Sequence, residues 1–218
     1  MKRYHSLEAL AAIIGNRVVV TNIGPTRSEW EKVRPGDANL YQAQMGTLAG
    51  IALGLAVGLS RAPKELGVVA LDGDGNLLHA PGVLATIAHV APPGLVLIVF
   101  DNSCYESTGG QPSVTARGAD LEQVARGFGL KSAITVSALD AFTEAARKAL
   151  QARGPHLIVA KVEPSAGRKE FLASVEPSTI DGIENKYRLA RYIETHAGVR
   201  VLHPPEYATG FSPSVGRN

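Results

Sequence analysis

Two side chains with oxygen donors, Asp74 and Asn102, carry the most specific chemistry in the chain. They lie 28 positions apart, and each follows a short apolar run. Residues 68–71 (VVAL) lead into Asp72-Gly73-Asp74-Gly75-Asn76, and residues 95–100 (LVLIVF) lead into Asp101-Asn102. A carboxylate and an amide carbonyl suit a hard cation such as Mg²⁺, and such a cation would in turn hold a diphosphate. Gly73 and Gly75 lack a Cβ, so the backbone there can turn sharply and approach a ligand closely. A helix that follows would add N–H donors and a positive dipole end.

Each piece has an ordinary reading. An Asp-Gly-Asp-Gly turn after a strand is often only a loop, and Asn102 alone is a turn former. The dinucleotide fingerprint G-x-G-x-x-G fails, because Leu78 occupies the third glycine position. A nicotinamide-binding domain is therefore disfavoured.

The elements that must position these groups form a strand–helix–strand unit: strands at 68–71 and 95–100, a helix over 78–90, and a break at Pro92-Pro93-Gly94. In open parallel sheets the carboxyl edge of such strands is where ligands bind. Ahead of this unit the pattern predicts a helix over 7–14 capped by Ser6 and a valine-rich strand over 17–21. That strand ends in a Gly/Pro/hydroxyl loop at 22–28. A helix over 47–59 follows, with Gly46, Gly50, Gly54 and Gly58 four apart. Glycine costs up to about 1 kcal/mol per helix position relative to alanine, so this smooth stripe implies close packing, on the sheet or at an interface beside a ligand. Beyond Asn102 the pattern gives a helix over 120–128, a strand over 134–136, an amphipathic helix over 137–152 and a last core strand over 156–162. Residues 165–177 read as loop. A helix capped by Thr179 or Asp181 runs to about residue 196, and 204–218 is a Pro/Gly/Ser-rich tail. The expected fold is a three-layer α/β/α sandwich around a mainly parallel sheet. Residues 1–164 would form the ligand-binding domain. Residues 165–218 would form an extension packed on it or on a partner.

Composition bounds the function. A chain of 218 residues suits one large α/β domain. The formal net charge of +2, with Lys and Arg scattered, gives no nucleic-acid footprint. Cys104 is the sole cysteine, which excludes an intrachain disulfide and multi-cysteine metal sites and makes a reducing cytoplasm the default. The apolar run after the polar first residues is short for a signal peptide. The most apolar stretch, 45–59, falls short of the roughly 20 residues that cross a bilayer. A soluble, cytoplasmic protein is expected.

GDGN, followed after a long gap by DN, resembles the GDG…N motif of thiamin-diphosphate (ThDP) enzymes. The run DNSCYESTGGQP at 101–112 is similar to the DN-x-x-x-x-STGGQ signature of phosphonopyruvate and sulfopyruvate decarboxylases. The resemblance covers residues 17–164. It implies ThDP and Mg²⁺ as cofactors, with the metal held by the Asp74 and Asn102 side chains and the Cys104 backbone carbonyl. Thr21, Asn22 and Gly24 would match a T-x-G loop near the diphosphate, with Ile23 and Pro25 blurring the match. Gly73, Gly75, Asn76 and Tyr105 would complete the cofactor contacts. Met45 would wedge between the two cofactor rings and enforce their V shape. Glu106, Ser107, Thr108 and Gln111 would be candidates for substrate contact.

The family also needs a glutamate against the cofactor's pyrimidine N1′, supplied by a separate pyrimidine-binding domain. The chain is about one ThDP fold long, and none of Glu8, Glu29, Glu31 or Glu65 falls in the matched site. The resemblance therefore implies the diphosphate-binding β subunit of a 2-oxoacid decarboxylase, in a hetero-oligomer such as α2β2 or larger with a pyrimidine-binding α subunit. Its substrate would be sulfopyruvate or phosphonopyruvate, giving CO₂ and an aldehyde. A carboligase or acyl transferase would use the same motifs, and a non-catalytic cofactor-binding subunit is the reading from another class. A 2-oxoacid:ferredoxin oxidoreductase subunit is disfavoured by the lack of cysteine clusters.

Overall fold

The computed structural model describes residues 1–164 and 180–202. The expected loop at 165–177, the alternative cap Thr179 and the tail at 204–218 lie outside the described residues.

Six strands form one wholly parallel sheet: Val18–Asn22 (β1), Asn39–Ala43 (β2), Val68–Gly73 (β3), Leu95–Asp101 (β4), Ala133–Val136 (β7) and His156–Lys161 (β8). Their order is β2-β1-β3-β4-β8-β7. A small antiparallel pair, Cys104–Tyr105 (β5) and Gln111–Pro112 (β6), stands beyond the end of β4. The helices are Arg3–Ala11 (α1), Pro25–Val33 (α2), Leu48–Leu59 (α3), Asp74–Leu77 (α4), Val83–Val90 (α5), Leu121–Gly127 (α6), Leu139–Gln151 (α7) and Gly182–Ala197 (α8).

Helices cover both faces of the sheet, so every residue of β1 and β4 is buried. This is why those strands read as continuous apolar runs rather than alternating ones. Two cores result. One lies under α3, α5, α6 and α8 and contains Leu48, Ala52, Leu84, Leu121, Leu189 and Ile193. The other lies under α1, α2 and α7 and contains Leu7, Leu10, Trp30, Phe142 and Leu150. The architecture is the expected three-layer α/β/α sandwich. Among the described residues no helix is long and apolar enough to cross a membrane.

Several elements differ from the sequence pattern, each for a local reason. The stretch at 22–28 holds the start of α2, not only a loop. Gly24 takes φ +95° and Pro25 sits in the first turn, where its missing N–H costs nothing. Asn39–Ala43 is a strand that the composition did not reveal. The first helix begins at Arg3, so Ser6 lies inside it and bonds back to Lys2 O at 3.3 Å. The helix placed at 78–90 is two helices. The chain becomes helical at Asp74, directly after Gly73, and restarts at Val83 after Pro81-Gly82, because proline cannot continue the hydrogen-bond ladder.

The glycine stripe does not pack on the sheet. Ala49, Ala52 and Ala56 face inward, while a Cβ at Gly50, Gly54 or Gly58 would meet nothing within 4 Å. Helix α8 packs against β2. Asp181 caps it, accepting from Ile183 N and Glu184 N at 2.7 and 2.9 Å. The buried Asn185 bonds β2 twice: its Oδ1 accepts from Tyr41 N at 3.0 Å, and its Nδ2 donates to Asn39 O at 2.9 Å.

Candidate functional site

The strand order reverses at β1. The chain runs outward from β1 to β2 and then returns to β3 on the other side of β1. Ligand crevices in open α/β sheets form outside the carboxyl ends of the strands at such a switch point. A pocket opens there, walled by the segments that leave β1 (Asn22, Ile23, Pro25, Thr26), β3 (Gly73 to Asn76) and β4 (Asn102, Cys104 to Ser107). Gly73 pairs with Phe100 in register, so Asp74 and Asn102 leave neighbouring strands at the same edge.

Asp74 opens α4 with its side chain buried. Its Oδ2 accepts from Ser113 Oγ at 2.5 Å and from Thr115 Oγ1 at 3.1 Å. Thr115 Oγ1 also reaches Asp101 Oδ1, at 2.8 Å, and Lys161 pairs with the other oxygen of Asp101. Burial raises the Asp74 pKa, the Ser113 hydroxyl opposes that, and the Asp101 charge adds to it. A carboxylate held this way gains from a cation. Asn102 is buried, and its Oδ1 accepts from Cys104 N at 3.1 Å. That contact ties the amide to the segment, Cys104 to Ser107, that lines the pocket.

Asp72, the residue before Gly73, is fully buried. Burial pushes it up to about 7, against hydrogen bonds from Asn76 and Gly73 N–H and with the Asp74 charge. Asn76 is a bridge: its amide NH₂ donates to Asp72 and its carbonyl accepts from Gly46 N at 2.7 Å. This joins the β3–α4 turn to the residue after Met45. Met45 itself is 37 % exposed and lines the pocket.

The Gly75 Cα faces the Tyr105 ring so closely that a Cβ would lie 2.5 Å from Tyr105 Cε1. Asn22 is buried with no hydrogen-bond partner for its Oδ1, and its Nδ2 lies 3.4 Å from where a Gly73 Cβ would be. An orphaned amide oxygen at the mouth of a site calls for a ligand or water.

The structure thus gathers Asn22, Met45, Gly73, Asp74, Gly75, Asn76, Asn102, Cys104, Tyr105, Glu106 and Ser107 around one pocket. Thr21 is buried below it with its hydroxyl unpartnered. Gly24 does not line the pocket, although its neighbours Ile23 and Pro25 do. Thr108 and Gln111 are exposed and bond each other at 3.2 Å, away from the pocket wall. The residues that sequence reasoning missed are Ser113 and Thr115, which grip Asp74, and Arg3, which lines the pocket from α1. Hydroxyls two apart after Gln111-Pro112 look like any loop, and nothing local marks Arg3 as a neighbour of Glu106. Burial pulls the Arg3 pKa down, but hydrogen bonds and charge from Glu29 and Glu106 outweigh it, and the net shift is upward.

Residues 30–160 match the family described as thiamine pyrophosphate enzyme, C-terminal TPP binding domain. The β subunit of sulfopyruvate decarboxylase from Methanocaldococcus jannaschii is 34 % identical over 165 residues, which is 75 % of this chain and 85 % of that one. Phosphonopyruvate decarboxylase from Streptomyces hygroscopicus is 35 % identical over 158 residues, 72 % of this chain but only 38 % of its own length. Benzoylformate decarboxylase from Polynucleobacter necessarius shares the fold, with a TM-score of 0.59 at 21 % identity over 76 % of this chain and 34 % of that one. A carboxylate and an amide on adjacent strand ends, a glycine cradle beside them and the matched family region agree: the chain belongs to the thiamine pyrophosphate enzymes and carries their C-terminal cofactor-binding domain.

Proposed function

We propose that this chain is the β subunit of a ThDP- and Mg²⁺-dependent 2-oxoacid decarboxylase. Its substrate is sulfopyruvate or phosphonopyruvate, and its products are CO₂ and an aldehyde. The observation that carries the reading is the placement of Asp74 and Asn102 at the ends of adjacent strands, opening into one pocket with Gly75 and Cys104. Two relatives named for these decarboxylases support the substrate class.

The donor set fits a hard cation. Asp74 supplies a carboxylate oxygen, Asn102 its amide carbonyl, and Cys104 its backbone carbonyl. Ser113 and Thr115 fix the rotation of the Asp74 carboxylate, the kind of outer support that metal ligands need. Asn22 offers a buried amide oxygen without a protein partner. When bound, ThDP supplies the nucleophilic carbon and the electron sink for loss of CO₂. Met45, braced by the Gly46–Asn76 hydrogen bond, shapes the cavity against the cofactor rings. Tyr105 closes one wall over Gly75 and excludes water from that side.

The glutamate that activates the cofactor comes from a pyrimidine-binding partner subunit. The β-subunit name of the M. jannaschii relative supports this. So does the engagement of the pocket's own Glu106 by Arg3. The open glycine face of α3 offers the partner a surface that a backbone can approach closely. The test is CO₂ release from sulfopyruvate and phosphonopyruvate by this chain with and without its co-produced partner. Turnover that requires both chains is expected. Turnover by this chain alone would remove the partner, and no release from either acid by the loaded complex would remove the substrate class.

A further inference from the structure

One charged cluster reaches the pocket wall through Arg3 and Glu106, with Glu29 behind it. Arg3 rises from the first turn of α1 with its side chain 6 % exposed. Its Nε and Nη2 donate to the two oxygens of Glu29 on α2 at 2.8 and 3.0 Å, a two-point fork. Its Nη1 donates to Glu106 Oε2 at 3.1 Å. The Glu106 side chain is only 8 % exposed. Such a buried carboxylate needs a paired cation to stay ionised, and the guanidinium, already oriented by Glu29, presents one N–H in a fixed direction.

Glu106 stands at the start of the turn Glu106–Thr108 that joins β5 to β6. This hairpin has two residues per strand, too few to hold a shape alone. Its base is tied by Ser113 N to Ser103 O at 3.0 Å and by the Ser113 hydroxyl to Asp74. One side rests on Gly75 through Tyr105. The Arg3–Glu106 pair tethers the turn where it leaves β5.

We propose that Arg3 is a positioning residue for the cation site. Through Glu106, the α1–α2 pair holds the β5–β6 hairpin down, and so sets where the Cys104 carbonyl is presented. The proposal rests on the reading that this carbonyl meets the cation. It also changes the role of Glu106, which acts as an anchor for the hairpin rather than as a substrate or proton ligand.

The test uses the full chain with its partner and the variants Arg3→Met, Arg3→Lys, Glu106→Gln and Arg3→Met/Glu106→Gln. Amide hydrogen exchange over 103–113, read without cofactor, reports the tether. The Mg²⁺ concentration that half-saturates ThDP binding, read by calorimetry, reports the carbonyl. Arg3→Met and Glu106→Gln should each speed exchange in the hairpin and raise the Mg²⁺ half-saturation about tenfold. The double variant should be no worse than Arg3→Met alone, since that variant already removes the Arg3–Glu106 contact. Arg3→Lys, which keeps the charge but not the fork, should fall between. Unchanged exchange would overturn the tether, and faster exchange with unchanged Mg²⁺ dependence would overturn the positioning role. If Arg3→Met fails to fold, Glu106→Gln decides, because Arg3 keeps Glu29. If wild-type protein binds no ThDP at all, the proposed function fails while hydrogen exchange still judges the tether.

Discussion

Replacing Gly75 by alanine isolates what the glycine cradle does. The added Cβ would lie 2.5 Å from Tyr105 Cε1 and 2.6 Å from Cδ1. Ordinary carbon–carbon contact is about 3.5–4.0 Å, so the ring must retreat by about 1 Å or more. It cannot do so freely, because His79 stands edge-on to it at 6.2 Å between centroids and Glu106 next to it is held by Arg3. Overpacking of this kind costs about 1–3 kcal/mol. Gly75 lies in α4, where alanine regains up to about 1 kcal/mol of helix propensity. The net loss of stability is therefore about 0–3 kcal/mol, or about 0–12 °C in Tm for a chain of this size. Binding should suffer far more, because Tyr105 follows Cys104 and moves its carbonyl. We expect ThDP affinity with Mg²⁺ to fall at least about tenfold by calorimetry, while thermal unfolding stays within the range above. The same substitution made in a Tyr105→Ala background should cost less in both measurements. Wild-type affinity in Gly75→Ala, or an equal cost with and without the Tyr105 ring, would refute this account of the cradle.

Three further outcomes follow from other parts of the fold. Asn185→Ala removes both side-chain bonds that join α8 to the backbone of β2 and should cost about 1–3 kcal/mol in denaturant unfolding, with loosened exchange along 39–41; an unchanged midpoint would mean that α8 is not needed there. Met45→Ala should change stability by less than about 0.5 kcal/mol, as an exposed side chain does, yet weaken ThDP binding; equal loss of both would contradict a wedge role. Burial pushes the Tyr41 phenol up to about 12, against the hydrogen bond from Asn39. A raised folded pKa means stability is complete below the unfolded value near 10 and is lost as pH rises through about 12. An absorbance titration should therefore show a late tyrosine component that disappears in Tyr41→Phe, and a titration unchanged by that substitution would refute the burial argument.

The central unit was legible because its signals are local. Apolar runs between turn residues gave β3 and β4 to within a residue or two, and polar groups just after them marked the edge. What stayed hidden depends on distant contacts. β2 is five residues, two of them the polar Asn39 and Gln42, and it is stabilised by Asn185 from far along the chain, which no window of sequence contains. Pro25 looked like a loop residue because proline suits both a turn and a first helical turn. The glycines of α3 suggested close packing on the sheet, but alanines on the adjacent face took the sheet and the glycine face meets nothing among the described residues of this chain. Ser113, Thr115 and Arg3 were missed because a hydroxyl or a guanidinium shows its role only through the carboxylate it meets.

The most direct measurement is a calorimetric titration of ThDP into this chain, co-produced with a pyrimidine-binding partner, at several Mg²⁺ concentrations and with Asp74→Asn alongside wild type. The account predicts binding that needs Mg²⁺ in wild type and is lost in Asp74→Asn, a change that keeps the side-chain size but removes the charge. Binding that ignores divalent cations, or that survives the substitution intact, would contradict it.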